Sequence, residues 1–66
     1  MHSFTLYVFM LSVQSYVILP IERNPFVTEK LCEIMAFVIN ESKMTNVGPY
    51  VFRAGSAVCH KELVQL

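Results

Sequence analysis

Charged side chains are scarce in this chain, and the first Lys, Arg, Asp or Glu along it is Glu22. These four residue types make up 15% of the 66 residues, whereas ordinary globular proteins carry about 25%. Hydrophobic residues reach 55%. In a chain this short, so few charged side chains indicate that part of the apolar surface contacts lipid or a protein partner.

The charges that are present cancel, and they do not cluster. Five basic and five acidic residues give a formal net charge of zero. Nucleic-acid binding proteins use a basic patch that contacts phosphates, so we do not expect a nucleic-acid partner. The chain has no internal repeat and no low-complexity tract, and its length allows at most one small domain.

Arrangements typical of catalysis or metal binding are also lacking. The two glycines, Gly48 and Gly55, do not form a phosphate-binding loop. Cys59 and His60 are adjacent, but adjacent residues of a helix do not face one another. The two cysteines and two histidines lack the spacing of a zinc motif. We therefore predict that the protein is not an enzyme and has no catalytic residue, cofactor site or metal site.

The longest uncharged hydrophobic segment runs from Phe4 to Ile21. As a helix it would be about 27 Å long, close to the roughly 30 Å hydrocarbon thickness of a bilayer. Residues 1–21 are therefore predicted to form an N-terminal hydrophobic helix that anchors the protein in a membrane with a single pass.

Two other interpretations of this segment stay open. Phe4 to Val13 has the length of the apolar region of a signal peptide, and Val13 and Ser15 are small enough for signal peptidase, with cleavage after Ser15. Alternatively, the same segment is the core of a small soluble fold, because it is rich in β-branched and aromatic residues.

Residues 22–66 are predicted to form a small helical region. Asn24 and Pro25 are typical of a helix N-cap and first helical position, so an amphipathic second helix is predicted from Pro25 to about Asn40. Four apolar residues recur at spacings of four, three and four and share one face of it. This face is either a core face or a candidate partner face, and it comprises Val27, Leu31, Ile34 and Val38.

Turn residues separate this helix from the end of the chain. Residues 41–49 are predicted to form a loop, because they contain Asn46, Gly48 and Pro49. Tyr50 to Phe52 is a short extended run. Ser56 can then cap a short C-terminal helix over residues 57–66. The predicted fold class is therefore mainly α.

Two candidate modifications depend on the compartment. Cys32 and Cys59 could form one disulfide in an oxidising compartment, or remain buried thiols in a reducing one. Closing the loop of about 27 residues would stabilise the fold by roughly 3–4 kcal/mol. Asn40 begins the glycosylation sequon Asn-Glu-Ser, which matters only if this part of the chain is lumenal.

One local motif resembles a known family. Val47-Gly48-Pro49-Tyr50-Val51-Phe52-Arg53 is similar to the Gly-Pro-Tyr-x-(Phe/Tyr)-Arg signature of the CD36, or class B scavenger receptor, family. The resemblance implies an N-terminal membrane span and a glycosylated lumenal domain that binds lipids and lipoproteins. It covers seven residues, and most of that family's ectodomain and its second span have no counterpart in this chain. No binding residue is transferred.

These observations predict a microprotein of the secretory pathway. The main hypothesis is a non-catalytic, membrane-anchored accessory or interaction protein, whose partners are the membrane and an unidentified protein. The first alternative is a small secreted protein cleaved after Ser15. The second is a product of a short reading frame or a truncated transcript without a defined function.

Overall fold

The computed structural model describes residues 2–63, and its main feature is a three-stranded antiparallel sheet. The elements in chain order are β1 (His2–Met10), β2 (Ser15–Ile18), α1 (Glu29–Glu41), β3 (Asn46–Val47), β4 (Tyr50–Val51) and β5 (Val58–Leu63). The strand order in the sheet is β2-β1-β5, and β3 and β4 form a separate two-stranded hairpin. Only one helix lies within residues 2–63. The predicted mainly α fold is therefore wrong, and the fold is mainly β.

The hydrophobic segment from Phe4 to Ile21 forms strands rather than a helix. It comprises most of β1, a four-residue turn and β2, and the chain reverses at Gln14, whose φ is +51°. Aromatic and β-branched side chains favour strands when they can pack across a sheet. In the described part of the chain, no helix has both the length and the apolarity to cross a bilayer. The predicted single-pass transmembrane helix is therefore wrong.

β1 is the central strand and is paired along both of its edges. Tyr7 lies opposite Ile18 of β2 on one side and opposite Val58 of β5 on the other. Beyond these ladders, isolated bridges join Phe4 to Phe26 and Met10 to Phe52. The backbone of β1 is therefore paired with segments from several parts of the chain.

The helix α1 begins later than the sequence predicts. Its N-cap is Thr28, whose Oγ1 accepts a hydrogen bond of 3.3 Å from the Leu31 N–H. Asn24 and Pro25 precede the helix and do not cap it. Glu29 in the first turn carries a negative charge where the helix dipole favours one. The predicted amphipathic helix is present, but it starts four residues after Pro25.

The end of the chain also differs from the prediction. β5 occupies positions where a C-terminal helix was expected, and residues 64–66 lie outside the described part. The predicted extended run from Tyr50 to Phe52 corresponds to β4 and the bridge at Phe52. Gly48, with a φ of +57°, takes the first position of the two-residue turn between β3 and β4, where glycine tolerates that conformation.

The hydrophobic core lies between one face of the sheet and α1. Leu6 and Val8 of β1 are fully buried in it. The helix contributes three residues at helical spacing, and the remainder come from loops and strand ends. The full set of buried hydrophobic residues is Leu6, Val8, Leu19, Phe26, Cys32, Ala36, Ile39, Phe52 and Ala57.

Candidate interaction surface

A disulfide joins Cys32 of α1 to Cys59 of β5. The two Cα atoms are 6.0 Å apart, within the usual range for such a bridge. Cys32 is fully buried, and neither cysteine of the chain is free. The bridge fastens the helix to an outer strand of the sheet. Because such bridges persist mainly in oxidising compartments, it is consistent with a secreted or extracellular protein.

The side chain of Asn24 hydrogen-bonds backbone groups of β1 in the way that a residue of a neighbouring strand would. Its Oδ1 accepts a hydrogen bond of 3.0 Å from the Leu6 N–H. Its Nδ2 donates to the carbonyl oxygens of Leu6, at 3.0 Å, and Leu19, at 2.8 Å. The amide therefore satisfies backbone groups between β2 and Phe26, where the strand ladder is interrupted.

Asn40 makes an equivalent pair of bonds at the other end of the fold. Its Nδ2 donates to the Ala57 carbonyl oxygen at 2.9 Å, and its Oδ1 accepts from the Ala57 N–H at 3.0 Å. These bonds connect the last turn of α1 to the residue that precedes β5. The candidate glycosylation site is thus a half-buried amide with both of its polar atoms in use.

Ser56 links two further segments through its hydroxyl group. The Oγ atom accepts a hydrogen bond of 3.0 Å from the Phe9 N–H and donates one of 2.6 Å to the Arg53 carbonyl oxygen. Ser56 therefore joins β1 to the segment before β5, instead of capping a helix. Within residues 2–63, every buried side-chain nitrogen or oxygen atom has a hydrogen-bond partner.

The candidate partner face lies on the surface, and we refer to its four residues as the exposed helix face: Val27, Leu31, Ile34 and Val38. Val27 is 81% exposed, and the other three are 47–50% exposed. The core-facing stripe of α1 is instead formed by Cys32, Ala36 and Ile39. At about 100° per residue, the exposed stripe is rotated by roughly 130° from the core stripe. The apolar surface of α1 is thus wider than the sheet covers.

Two apolar grooves border the exposed helix face on one side. A groove of about 410 Å³ is lined by Val27, Leu31 and Ile34 together with Arg23, Pro25 and Phe26 from the segment before α1. A second, of about 560 Å³, is lined by Val38 and by residues of the loops on either side of α1. Both grooves include Arg23 and Met35 in their walls. They therefore adjoin and extend the apolar surface alongside the helix.

The opposite face of the sheet carries aromatic side chains. The ring of Phe9 packs edge-on against Tyr16, with centroids 5.4 Å apart, and the Arg53 guanidinium lies 4.3 Å from the centre of the Phe9 ring. The Tyr7 hydroxyl donates a hydrogen bond of 2.6 Å to Glu62. This bond, desolvation and the carboxylate charge together raise the pKa of Tyr7 above its usual value of 10.0. The side chains of this outer face therefore contact and stabilise one another.

The structure assigns places to the residues of the CD36-like motif. Gly48 and Pro49 form the turn of the β3–β4 hairpin, Phe52 is buried in the core, and Arg53 stacks on Phe9. Comparison with protein-family models, with curated proteins and with solved structures finds no match to this chain. The resemblance to the CD36 family therefore stays a prediction.

Sequence reasoning identified some of the residues described above and missed others. It named both cysteines and all four residues of the exposed helix face, but assigned Asn24 and Ser56 to helix caps. It missed the grooves at Arg23 and Met35, because their walls come from separate segments and no local pattern marks them. In the part of the chain that the structure describes, no three His, Cys, Asp or Glu side chains are grouped as a metal site requires.

Proposed function

We propose that the protein is a small secreted protein that acts without catalysis, by binding a protein partner through the exposed helix face. The observation that carries the proposal is the bridge between Cys32, which is fully buried, and the half-buried Cys59. Domains of this size have little core to stabilise them, and secreted ones commonly rely on disulfides.

The exposed helix face supports the binding role. Single apolar residues on a surface are ordinary, whereas a contiguous apolar surface marks an interaction site. Here three apolar residues at helical spacing in α1, together with Val27 just before the helix, adjoin two apolar grooves. Packing within the fold does not account for them, because a different stripe of α1 faces the core.

The proposed secreted form keeps its first strand. Cleavage after Ser15 would remove β1, and with it Leu6 and Val8 from the core and the central position in the sheet. β2 and β5 both pair with β1 and not with each other, so neither would retain a sheet partner. We therefore expect the folded extracellular protein to contain residues 2–10.

The first test is the compartment and redox state of the chain in cells. We would express it with a C-terminal tag, block free thiols before lysis, and measure the intact mass of material from medium and from cells. The expected product is in the medium, contains β1, and carries no blocked thiol. Reduced chain confined to the cytosol would overturn the proposal.

The second test is site-specific cross-linking in the same cells. A photoreactive residue replaces Ile34 of the exposed helix face, and a matched control replaces Ser12, which is exposed in the turn between β1 and β2. We expect cross-links to a protein from position 34 and none from position 12. Equal labelling from the two positions would contradict a binding role for this face.

A further inference from the structure

We infer that the partner of the exposed helix face is a second copy of this chain, in a two-fold dimer whose α1 helices pack antiparallel. The inference rests on the proposed function, because it identifies the occupant of the same surface. Two features support it: the spacing of the apolar residues and the different side chains on the two flanks of the exposed helix face.

The apolar spacing suits helix–helix packing. Three residues of the exposed helix face, Leu31, Ile34 and Val38, lie within α1 at intervals of three and four, which is the spacing of a coiled-coil seam. Val27 precedes the N-cap and extends the apolar surface beyond the helix. A seam of this kind is self-complementary, because the same side chains provide both knobs and holes. In a two-fold dimer each copy presents this same surface to the other.

One flank of the seam carries two opposite charges, with the exposed ring of Phe37 beside them. At about 100° per residue, Lys30 and Glu41 both project within roughly 40° of Ile34, on the side away from the grooves. Both side chains are exposed. They lie at opposite ends of α1, roughly 16 Å apart along its axis at 1.5 Å per residue.

The other flank of the seam is apolar. Met35 lies on this side, where the two grooves adjoin. A two-fold axis perpendicular to an antiparallel helix pair places each flank against the same flank of the other copy. The charged flanks then meet each other, and so do the apolar ones.

This arrangement pairs opposite charges. Lys30 of one copy lies beside Glu41 of the partner subunit, and the second ion pair follows by symmetry. A parallel pair would instead place the charged flank of each copy against the apolar flank of the other, which leaves both charges unpaired. Charge complementarity therefore selects the antiparallel dimer.

The expected affinity is modest. The 13-residue helix is about 20 Å long, so the helix–helix contact is smaller than the roughly 800 Å² that each partner buries in a standard interface. Contacts from the groove walls add to it. We expect a dissociation constant in the micromolar range, which sets the concentrations for the experiment.

Sedimentation equilibrium of the oxidised chain, from low micromolar to millimolar concentration, tests the inference. The apparent mass should rise from 7.6 kDa towards twice that value. Ile34→Glu places a charge in the seam at a half-exposed position and should abolish the rise while the circular dichroism spectrum is retained. Val13→Glu is the matched control: Val13 is 58% exposed in the turn between β1 and β2, outside α1, so dimerisation should persist.

A charge swap tests the orientation without altering the apolar seam. Lys30→Glu and Glu41→Lys should each weaken the dimer about three- to tenfold, because two ion pairs become repulsive contacts. The double variant K30E/E41K restores opposite charges and should recover the original affinity. If the double variant is weaker than either single one, the antiparallel arrangement is wrong.

Other outcomes separate this inference from the proposed function. A chain that stays monomeric at millimolar concentration overturns the dimer, and so does a dimer unaffected by Ile34→Glu. If position 34 then cross-links to a different protein in cells, the proposed function stands while the self-association is rejected. A reduced cytosolic chain that dimerises through this face would instead reject the secreted role and leave the dimer intact.

Discussion

The side chain of Asn24 hydrogen-bonds both the backbone N–H and the backbone carbonyl of Leu6, a fully buried residue 18 positions earlier in the chain. Through the same amide it also holds Leu19. One polar side chain thus keeps the segment after β2 against the central strand.

Replacing this amide should destabilise the fold. Asn24→Ala leaves the Leu6 N–H without its partner in a buried position, which costs about 1–3 kcal/mol. The measurement is the free energy of unfolding in urea. Asn46→Ala, at an exposed asparagine, is the control and should change stability by less than about 0.5 kcal/mol. Equal effects of the two substitutions would mean that Asn24 has no special structural role.

Removing the disulfide should have a larger effect. The bridge closes a loop between residues 27 positions apart, which in the chain-entropy model is worth roughly 3–4 kcal/mol. A core of this size supplies about 3–5 kcal/mol at most. The double variant C32A/C59A should therefore be largely unfolded at 25 °C by circular dichroism. Reductant should lower the urea midpoint of the wild type and leave the circular dichroism spectrum of the variant unchanged; identical midpoints for oxidised and reduced wild type would contradict this expectation.

The sequon at Asn40 should carry no glycan in the folded protein. The Asn40 amide uses both of its polar atoms to bind Ala57, which is buried. A glycan on Nδ2 would have to fit between α1 and the start of β5. Protein secreted from a eukaryotic cell should therefore have the mass of the bare polypeptide, with or without glycosidase treatment. Ser42→Ala, which abolishes the sequon but keeps Asn40, should lower that mass only by the oxygen atom of the deleted hydroxyl group.

Stability should decrease at high pH because of the pair formed by Tyr7 and Glu62. The pKa of Tyr7 is raised in the folded state, so the folded protein binds a proton more tightly than the unfolded chain does. The stabilising contribution is complete below about pH 10, the unfolded value, and is lost as the pH rises through the folded pKa. The difference in tyrosinate absorbance between wild type and Tyr7→Phe isolates this titration. In Glu62→Gln it should move to lower pH; an unchanged titration would exclude the carboxylate as its cause.

The second helix was predictable from the sequence, whereas its start was not. The recurrence of Leu31, Ile34 and Val38 indicates a helix in any environment. The helix starts at Glu29 and not at Pro25, and the side chain of Asn24 bonds Leu6 instead of capping the helix. A contact between residues so distant in sequence leaves no trace in local propensity.

The strands escaped prediction for a related reason. β1 alternates between the core, at Leu6 and Val8, and the outer face, at Tyr7 and Phe9. Because both sets are apolar, the alternation that marks a half-buried strand is absent, and the uncharged length resembles a membrane span instead. β5 is a strand because β1 pairs with it, and strand preference depends on such context.

The surface was partly predictable. Periodicity identified its apolar residues but could not tell which stripe of α1 faces the core, because Cys32 and Ala36 are smaller than the residues of the exposed stripe. The larger apolar side chains of an amphipathic helix usually face the core. In α1 the larger ones mostly face outward, so this inference fails.

The pairing of β1 with β5 determines when the molecule can first fold. His2 lies opposite Leu63, so the two ends of the described chain meet in a single ladder. During synthesis β1 and β2 are therefore complete well before β5, the second neighbour of β1, exists. Topologies with such distant pairings fold slowly, and an unpaired strand edge invites association with other chains. Translation that stops short of Val58 should yield an aggregating fragment rather than a smaller stable domain.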